Sequence, residues 1–285
     1  MILDGHIHLR TDATDVQAFA ERLAAAGVSG GVLISLPPPG YRSGQPLAAA
    51  DERLAHVLGW CAGAERLYPF FWLDPLEPDA VTQVERAAGE EIAGFKIICD
   101  RFEPGDARAM PAYRAIADTG RPVLFHSGIL WDGKPSSPFN RPAAFEPLLA
   151  VPGLRFALAH IGWPWCDELI AVYGKFLNAA DGGSDKAVEL FVDTTPGTPP
   201  IYRREALARL FTVGYDVAHR VMFGTDSNPH DYNVGWLREW VERDRTILAE
   251  LGVDVATIEA VFAHNLERFL GLKPGVVPRS VRPGE

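Results

Sequence analysis

The stretch MILDGHIHL, residues 1–9, places two histidines, His6 and His8, directly after a short apolar run. In a β-strand, side chains two positions apart point to the same face and begin about 6 to 7 Å from each other. If this stretch is a strand, both imidazoles therefore lie on one side of it. They are either unrelated structural histidines or half of a metal site, and the rest of the chain decides between these interpretations.

Seven further β-rich apolar runs follow the first, and segments with helical spacing separate them. The runs start about 25 to 37 residues apart, the length that one β-loop-α-loop unit requires. The first helical segment ends at Gly27, which suits the left-handed residue that closes a helix. The predicted strands are 1–9, 30–36, 67–74, 92–99, 122–128, 155–162, 188–194 and 220–226, and helices are expected at 15–27, 80–91, 204–214 and 234–252.

This alternation predicts an α/β fold with parallel strands and right-handed crossovers. Eight units within residues 1–226 fit a closed (β/α)8 TIM barrel, and an open doubly wound sheet is the main alternative. No G-x-G-x-x-G follows the first strand, which disfavours the dinucleotide-binding version of that alternative. We therefore predict a single-domain barrel over residues 1–273, followed by a Pro- and Gly-rich surface tail over 274–285.

The composition excludes several classes of protein. The formal net charge is −10 and no cluster of Lys and Arg stands out, which argues against a nucleic-acid or anionic-membrane surface. Cys61, Cys99 and Cys166 form no C-x-x-C pair and suggest free thiols in a reducing compartment. No signal peptide and no apolar run of about 18 residues is visible. We expect a cytoplasmic protein that acts on a small molecule, and a homodimer stays open.

Four of the eight histidines lie at or near the C-terminal ends of predicted strands, and the last strand ends in an acid. A lone His is more often a hydrogen-bonded core or loop residue, and an Asp after a strand is usually a turn or helix-capping residue. Here, however, a barrel brings all of these strand ends to one mouth. Burying them unpaired would cost several kcal/mol, which a Zn²⁺-like cation would offset. The residues concerned are His6, His8, His126, His160 and Asp226.

The chain resembles the amidohydrolase superfamily in the order of its strand-end motifs. These are HIH on the first strand, PVLFHSG on the fifth, FALAHIG on the sixth, LFVDTT on the seventh and VMFGTDSNPH on the eighth. The closing segment AHNLERFLGL, residues 263–272, is similar to the last helix of the amidohydrolase-2 group. That group contains metal-dependent hydrolases and decarboxylases of the aminocarboxymuconate-semialdehyde type.

The resemblance implies that His6, His8, His126 and Asp226 hold one divalent ion, most often zinc. It implies that Asp226 accepts a proton from the attacking water and delivers it to the leaving group. His160 would lie beside water and substrate and polarise a carbonyl or orient the nucleophile, although it could instead be a metal ligand.

Lys96, on the fourth predicted strand, leaves the number of metals open. Binuclear members of the superfamily carry a carboxylated lysine on this strand, and His126 and His160 would then hold a second ion. Alternatively, Lys96 pairs with a substrate carboxylate or with Asp226. We favour a single metal.

Further residues near the predicted mouth are candidate substrate contacts, although each could equally be structural. Arginines suit a carboxylate, and tryptophans suit a flat or apolar group. A long loop over 36–46 lies at the active face as a candidate lid. The candidate contacts are Arg10, Arg101, Trp72, Trp131, Trp163, Asn228 and His230.

The leading functional prediction is hydrolysis of a C–N, C–O or lactone bond by a metal-activated water. The alternative is non-oxidative decarboxylation of an aromatic or dienoic acid on the same scaffold. The chain lacks a large insertion after the first strand, which favours the hydrolase. A non-catalytic metal-binding protein is the third interpretation.

Overall fold

The computed structural model describes residues 1–12, 15–41, 48–181 and 187–273. Its eight strands are parallel and pair in chain order, which confirms the predicted (β/α)8 barrel. The tail over 274–285 and residues 42–46 of the candidate lid lie outside the described residues. The strands are β1 (Asp4–His8), β2 (Gly31–Ile34), β3 (Leu67–Trp72), β4 (Gly94–Ile97), β5 (Val123–Phe125), β6 (Arg155–Leu158), β7 (Glu189–Asp193) and β8 (Val221–Met222).

Backbone hydrogen bonds between β1 and the residues directly after β8 close the barrel. The amide of Gly5 donates to the carbonyl of Phe223 at 3.0 Å, and the amide of His8 donates to the carbonyl of Ser227 at 2.9 Å. The segment after β8 therefore lies directly against β1. This seam brings the two ends of the predicted histidine and aspartate set together.

The helices cover the outside of the barrel. α1 begins after the capping residue Asp15 and ends at Gly27, whose φ of 75° confirms the predicted helix end. α6 begins at Pro200 rather than at the predicted residue 204, because proline is tolerated in the first turn. The helices are α1 (Val16–Ala26), α2 (Ala50–Cys61), α3 (Ala80–Gly89), α4 (Met110–Asp118), α5 (Cys166–Ala180), α6 (Pro200–Thr212), α7 (Val234–Glu250), α8 (Val255–Glu259) and α9 (Asn265–Phe269).

Apolar side chains fill the barrel interior below the strand ends. Phe269 of α9 packs against Phe191 of β7 and Phe70 of β3, with ring centroids 5.2 and 6.3 Å away. Because this end of the interior is packed, the opposite end offers the space for a site. Among the helices of the described residues, none has the length and apolar character of a membrane span.

A buried ion pair joins α6 to α7. The Arg203 side chain is fully buried, and its Nε and Nη2 donate to Asp244 at 2.8 and 2.5 Å. We expect Asp244→Ala to lower the free energy of unfolding by about 3–5 kcal/mol, because it leaves a buried guanidinium unpaired. The matched control is Glu250→Ala, which breaks the exposed Arg204–Glu250 pair and should cost less than about 1 kcal/mol. Urea unfolding of both variants measures the difference in the free energy of unfolding. Equal losses in the two variants would contradict a stabilising role for the buried ion pair.

Candidate active site

Six titratable side chains meet at the C-terminal rim of the barrel. They line one cavity of about 420 Å³, together with Tyr41, Trp72 and other residues. The structure thus brings together the residues that the sequence placed at strand ends far apart in the chain. The six are His6 and His8 of β1, Lys96 of β4, His126 after β5, His160 after β6 and Asp226 after β8.

His6, His8 and Asp226 place one potential ligand atom each around a common point. His6 Nε2 lies 3.1 Å from His8 Nε2, and Asp226 Oδ1 lies 3.6 and 3.4 Å from these two nitrogens. Ligands of a tetrahedral ion with bonds of about 2.0–2.1 Å lie about 3.3–3.4 Å apart. The spacing and the two-nitrogen, one-carboxylate donor set therefore fit a divalent cation.

Asp193, at the end of β7, fixes the orientation of the His6 ring. Its Oδ2 accepts a hydrogen bond from His6 Nδ1 at 2.8 Å, and its Oδ1 accepts one from the amide of Thr195 at 2.6 Å. A proton on Nδ1 leaves Nε2 unprotonated, with His8 Nε2 at 3.1 Å and Lys96 Nζ at 3.2 Å from it. The sequence analysis missed Asp193 as a site residue, although it is an acid at a strand end, the same signal that identified Asp226.

We expect Asp193→Asn to raise the dissociation constant of the bound metal by about 10- to 100-fold. Outer partners of metal-binding histidines typically contribute this much, because they set the tautomer and basicity of the ring. Competition with a chromophoric chelator measures the constant. The control is Asp216→Asn, which makes the same chemical change at an exposed side chain. An unchanged constant in Asp193→Asn would remove this role.

Asp4 anchors the loop that carries Asp226. The buried Asp4 carboxylate accepts hydrogen bonds from the amide and hydroxyl of Thr225, at 2.9 and 2.6 Å, and from the hydroxyl of Tyr232 at 2.8 Å. The amide of Asp226 itself donates to the carbonyl of His6 at 2.8 Å. Asp226 has a φ of 58°, a left-handed conformation that such contacts hold in place. The sequence analysis did not identify Asp4, Thr225 or Tyr232.

Burial keeps the imidazoles of the cavity neutral. It lowers the pKa of His6, His8 and His126 well below the usual value, and the nearby Lys96 charge lowers them further. Burial likewise lowers the pKa of His160 to about 4, partly opposed by Asp193. Neutral imidazoles have a nitrogen lone pair available at neutral pH, as metal binding requires.

Asp226 and Lys96 influence each other across the cavity. Burial raises the pKa of Asp226 to about 7, and the Lys96 charge opposes this rise. The Asp226 side chain is 43 % exposed where it borders the cavity. Protein groups further from the carboxylate still surround it, and their presence accounts for the raised pKa. Burial lowers the pKa of Lys96 to about 8, and its Nζ lies 3.2 Å from His6 Nε2. A carboxyl group with a pKa near neutrality is suited to taking up and releasing a proton.

His126 and His160 lie in the same cavity but outside the group of three ligand atoms. His126 Nε2 lies 3.2 Å from the carbonyl of Ile129 and donates to it. The His160 ring lies 4.9 Å from the His126 ring and 5.5 Å from the His6 ring. Within the described residues, Nδ1 of His160 is buried without a hydrogen-bond partner. The structure therefore places the expected fourth ligand, His126, beside the trio rather than in it.

Aromatic rings line the wall of the cavity between His8 and the mouth. The Trp72 ring lies 5.2 Å from the His8 ring and 4.8 Å from the Tyr41 ring. Trp131, which is 81 % exposed, and Arg10 also line the cavity. Three of the predicted substrate contacts, Trp72, Trp131 and Arg10, thus line the cavity, and Tyr41 is a lining residue that the sequence analysis missed.

The other predicted contacts do not line this cavity in the described part of the chain. Arg101 forms ion pairs with Asp74 and, at 2.9 Å, with Asp100. Its guanidinium group is therefore already paired with two carboxylates of the protein. Trp163 lines a separate surface groove near Tyr202, with ring centroids 6.3 Å apart. The side chains of Asn228 and His230 contact Asp231 in their own loop. Cys99 is fully buried in the hydrophobic core.

A family model described as amidohydrolase matches residues 4–272 of the chain. The chain belongs to this amidohydrolase family. Among curated proteins, none matches the sequence of this chain significantly. The region that the family model matches includes every residue that lines the cavity.

Solved structures share the fold of this chain at low sequence identity. The 5-carboxyvanillate decarboxylase LigW from Sphingomonas paucimobilis is 14% identical with a TM-score of 0.65, over 95% of this chain and 99% of that one. A protein assigned as a 2-pyrone-4,6-dicarboxylic acid hydrolase from Pseudomonas putida is 18% identical with a TM-score of 0.64, over 95% and 97%. The 5-carboxyvanillate decarboxylase from Novosphingobium aromaticivorans, in complex with manganese, is 13% identical with a TM-score of 0.65, over 95% and 96%. Family and fold support an enzyme, and these structures include both reaction types.

Proposed function

We propose that this protein is a metal-dependent hydrolase that cleaves a C–N, C–O or lactone bond of a small organic molecule. The observation that carries the proposal is the spacing of His6, His8 and Asp226, whose ligand atoms lie 3.1 to 3.6 Å apart. The cavity of about 420 Å³ beside them has room for a small substrate. Neutral imidazoles and a titratable carboxylate are the groups that such a reaction needs.

His6, His8 and Asp226 would hold the cation, which we take to be one Zn²⁺. His126 lines the same cavity and is the fourth ligand that the family resemblance implies. When bound, such a cation acts as a Lewis acid that makes water more acidic and polarises a substrate carbonyl. The manganese in one of the structures with this fold supports a divalent metal without deciding its identity.

We assign proton transfer in this reaction to Asp226. Its carboxylate takes the proton of the attacking water and passes it to the leaving group, for which a pKa near neutrality is suitable. His160 remains neutral, because burial lowers its pKa to about 4. We propose that His160 donates a hydrogen bond to the substrate oxygen on which negative charge develops. Trp72 and Arg10 would contact the remainder of the substrate.

Lys96 supports a second candidate function, non-oxidative decarboxylation of an aromatic or dienoic acid. Its ammonium group is buried 3.2 Å from His6 Nε2, where a substrate carboxylate could pair with it. Because its pKa is lowered to about 8, a fraction of the Lys96 amine is neutral. Only the neutral amine can be carboxylated, and a carboxylated lysine would be needed to hold a second metal. The hydrolase remains our first proposal, with one metal and an unmodified Lys96.

Metal analysis combined with a substrate panel separates these proposals. We expect about one equivalent of divalent metal per chain, loss of turnover on chelation and its return on adding Zn²⁺. Two equivalents would point to a carboxylated Lys96. The panel contains lactones, amides and aromatic acids, and products are followed with a pH indicator for the lactones, an amine assay for the amides and a carbon dioxide assay for the aromatic acids. Release of acid or amine without carbon dioxide supports the hydrolase, whereas carbon dioxide from an aromatic acid shifts the assignment to the decarboxylase. Protein that binds no metal would refute both.

A further inference from the structure

A second polar pocket opens at the opposite end of the barrel from the candidate active site. It lies where β6, β7 and β8 begin and where α9 ends, and its volume is about 360 Å³. We call it the lower pocket. Its lining includes Arg155, Glu189, His219, Arg220 and Arg268.

The charges of the lower pocket do not balance. Arg155 Nε donates to Glu189 Oε2 at 2.8 Å, while Arg220 Nη2 lies 3.8 Å from Glu189 Oε1. Two guanidinium groups thus share one carboxylate. Arg268 Nη1 donates at 2.8 Å to the neutral side-chain oxygen of Asn265. Among the described residues of its lining, three arginines and one glutamate leave an excess of two positive charges, although the whole chain has a net charge of −10.

One donor of this cluster lacks a partner. Within the described residues, Nη1 of Arg220 is buried and makes no hydrogen bond. Buried donors are normally satisfied, because an unmade hydrogen bond to a charged group is costly. Nη1 of the buried Arg203 is likewise without a partner, although Asp244 neutralises the charge of Arg203 with two hydrogen bonds. Arg220 has no carboxylate of its own, because it shares Glu189 with Arg155, so within the described residues the lower pocket has fewer carboxylates than guanidinium groups.

We propose that the lower pocket binds a phosphate group, either as inorganic phosphate or on a small phosphorylated molecule. The planar guanidinium donates two parallel hydrogen bonds to phosphate oxygens, and a phosphate dianion would neutralise the two excess charges. His219, an exposed residue of the lining, adds a further donor. The inference is independent of the function proposed for the opposite end of the barrel.

Calorimetric titration of the full chain with inorganic phosphate tests the proposal, at an ionic strength held constant with chloride. We expect saturable binding that Arg268→Gln weakens by about 10-fold or more, because a hydrogen bond to a charged group is lost. Arg220→Gln should weaken it further. The control is Arg204→Gln, which makes the same charge change at an exposed pair with Glu250 and should bind phosphate normally.

A second titration, with glycerol 3-phosphate, distinguishes the two sources of the phosphate group. Tighter binding of the ester indicates a phosphorylated molecule, and tighter binding of inorganic phosphate indicates the free ion. No saturable binding beyond the chloride background would overturn the proposal. Equal affinities of Arg268→Gln and Arg204→Gln for inorganic phosphate would also overturn the proposal. Because Arg220→Gln also removes a contact to Glu189, thermal unfolding of each variant verifies that it is folded.

Discussion

Asp226→Asn should yield a folded protein whose turnover is lower by about 10²- to 10⁴-fold, the usual contribution of a positioned acid–base group. The amide cannot accept the proton of the attacking water, whereas its shape is nearly that of the carboxylic acid. Asp226 has a φ of 58°, and asparagine tolerates this left-handed conformation better than most residues. Steady-state kinetics on the substrate found by the panel, together with metal content, measures the effect.

The control for this variant is Asp231→Asn, in the same loop but with a side chain that is 69 % exposed. It should leave the turnover unchanged. If Asp226→Asn retains metal and full turnover, Asp226 has no part in proton transfer. If it loses metal as well as turnover, restoring activity with excess metal separates its role as a ligand from its role in proton transfer.

His8→Ala should raise the dissociation constant of the metal by more than about 100-fold. Loss of a ligand removes a bond to the cation itself, and this costs more than the 10- to 100-fold effect of an outer partner. His8 is a better choice than His6, because its side chain is 20 % exposed and borders the cavity. Removal of the His6 ring would instead leave the Asp193 carboxylate buried and unpaired.

Chelator competition measures this constant, and circular dichroism verifies that the variant is folded. His230→Ala is the matched control, since His230 lies in the loop after β8 with 56 % of its side chain exposed. Its metal affinity should equal that of the native protein. An affinity of His8→Ala within a few-fold of the native value would show that the trio is not the metal site.

The fold could be predicted from the sequence because parallel strands are buried on both faces. Strands such as Gly31–Ile34 and Val123–Phe125 therefore appear as short, continuous apolar runs between helical segments. Strand ends in a barrel also share one rim, so His6, His126 and Asp226 could be placed together without any knowledge of their conformation. Position along a strand is local information, and the sequence contains it.

Side-chain partners could not be predicted in the same way, because they depend on distances between distant parts of the chain. Asp193 stands at a strand end in the sequence, but its role depends on its 2.8 Å contact with His6. Asp4 is recognisable only by its contacts with Thr225 and Tyr232. Arg101 is equally consistent with substrate binding until Asp74 and Asp100 are seen beside it. Nothing in the sequence distinguishes these outcomes.

The seam between β1 and β8 has a consequence for synthesis of the protein. His6 and His8 leave the ribosome early, whereas Asp226 follows 220 residues later. Until β8 emerges and docks beside β1, the nascent polypeptide presents two imidazoles without the carboxylate that completes the trio. On the proposed function, tight binding of a cation by this trio therefore has to wait until translation has passed the eighth strand, because only then are all three ligands present.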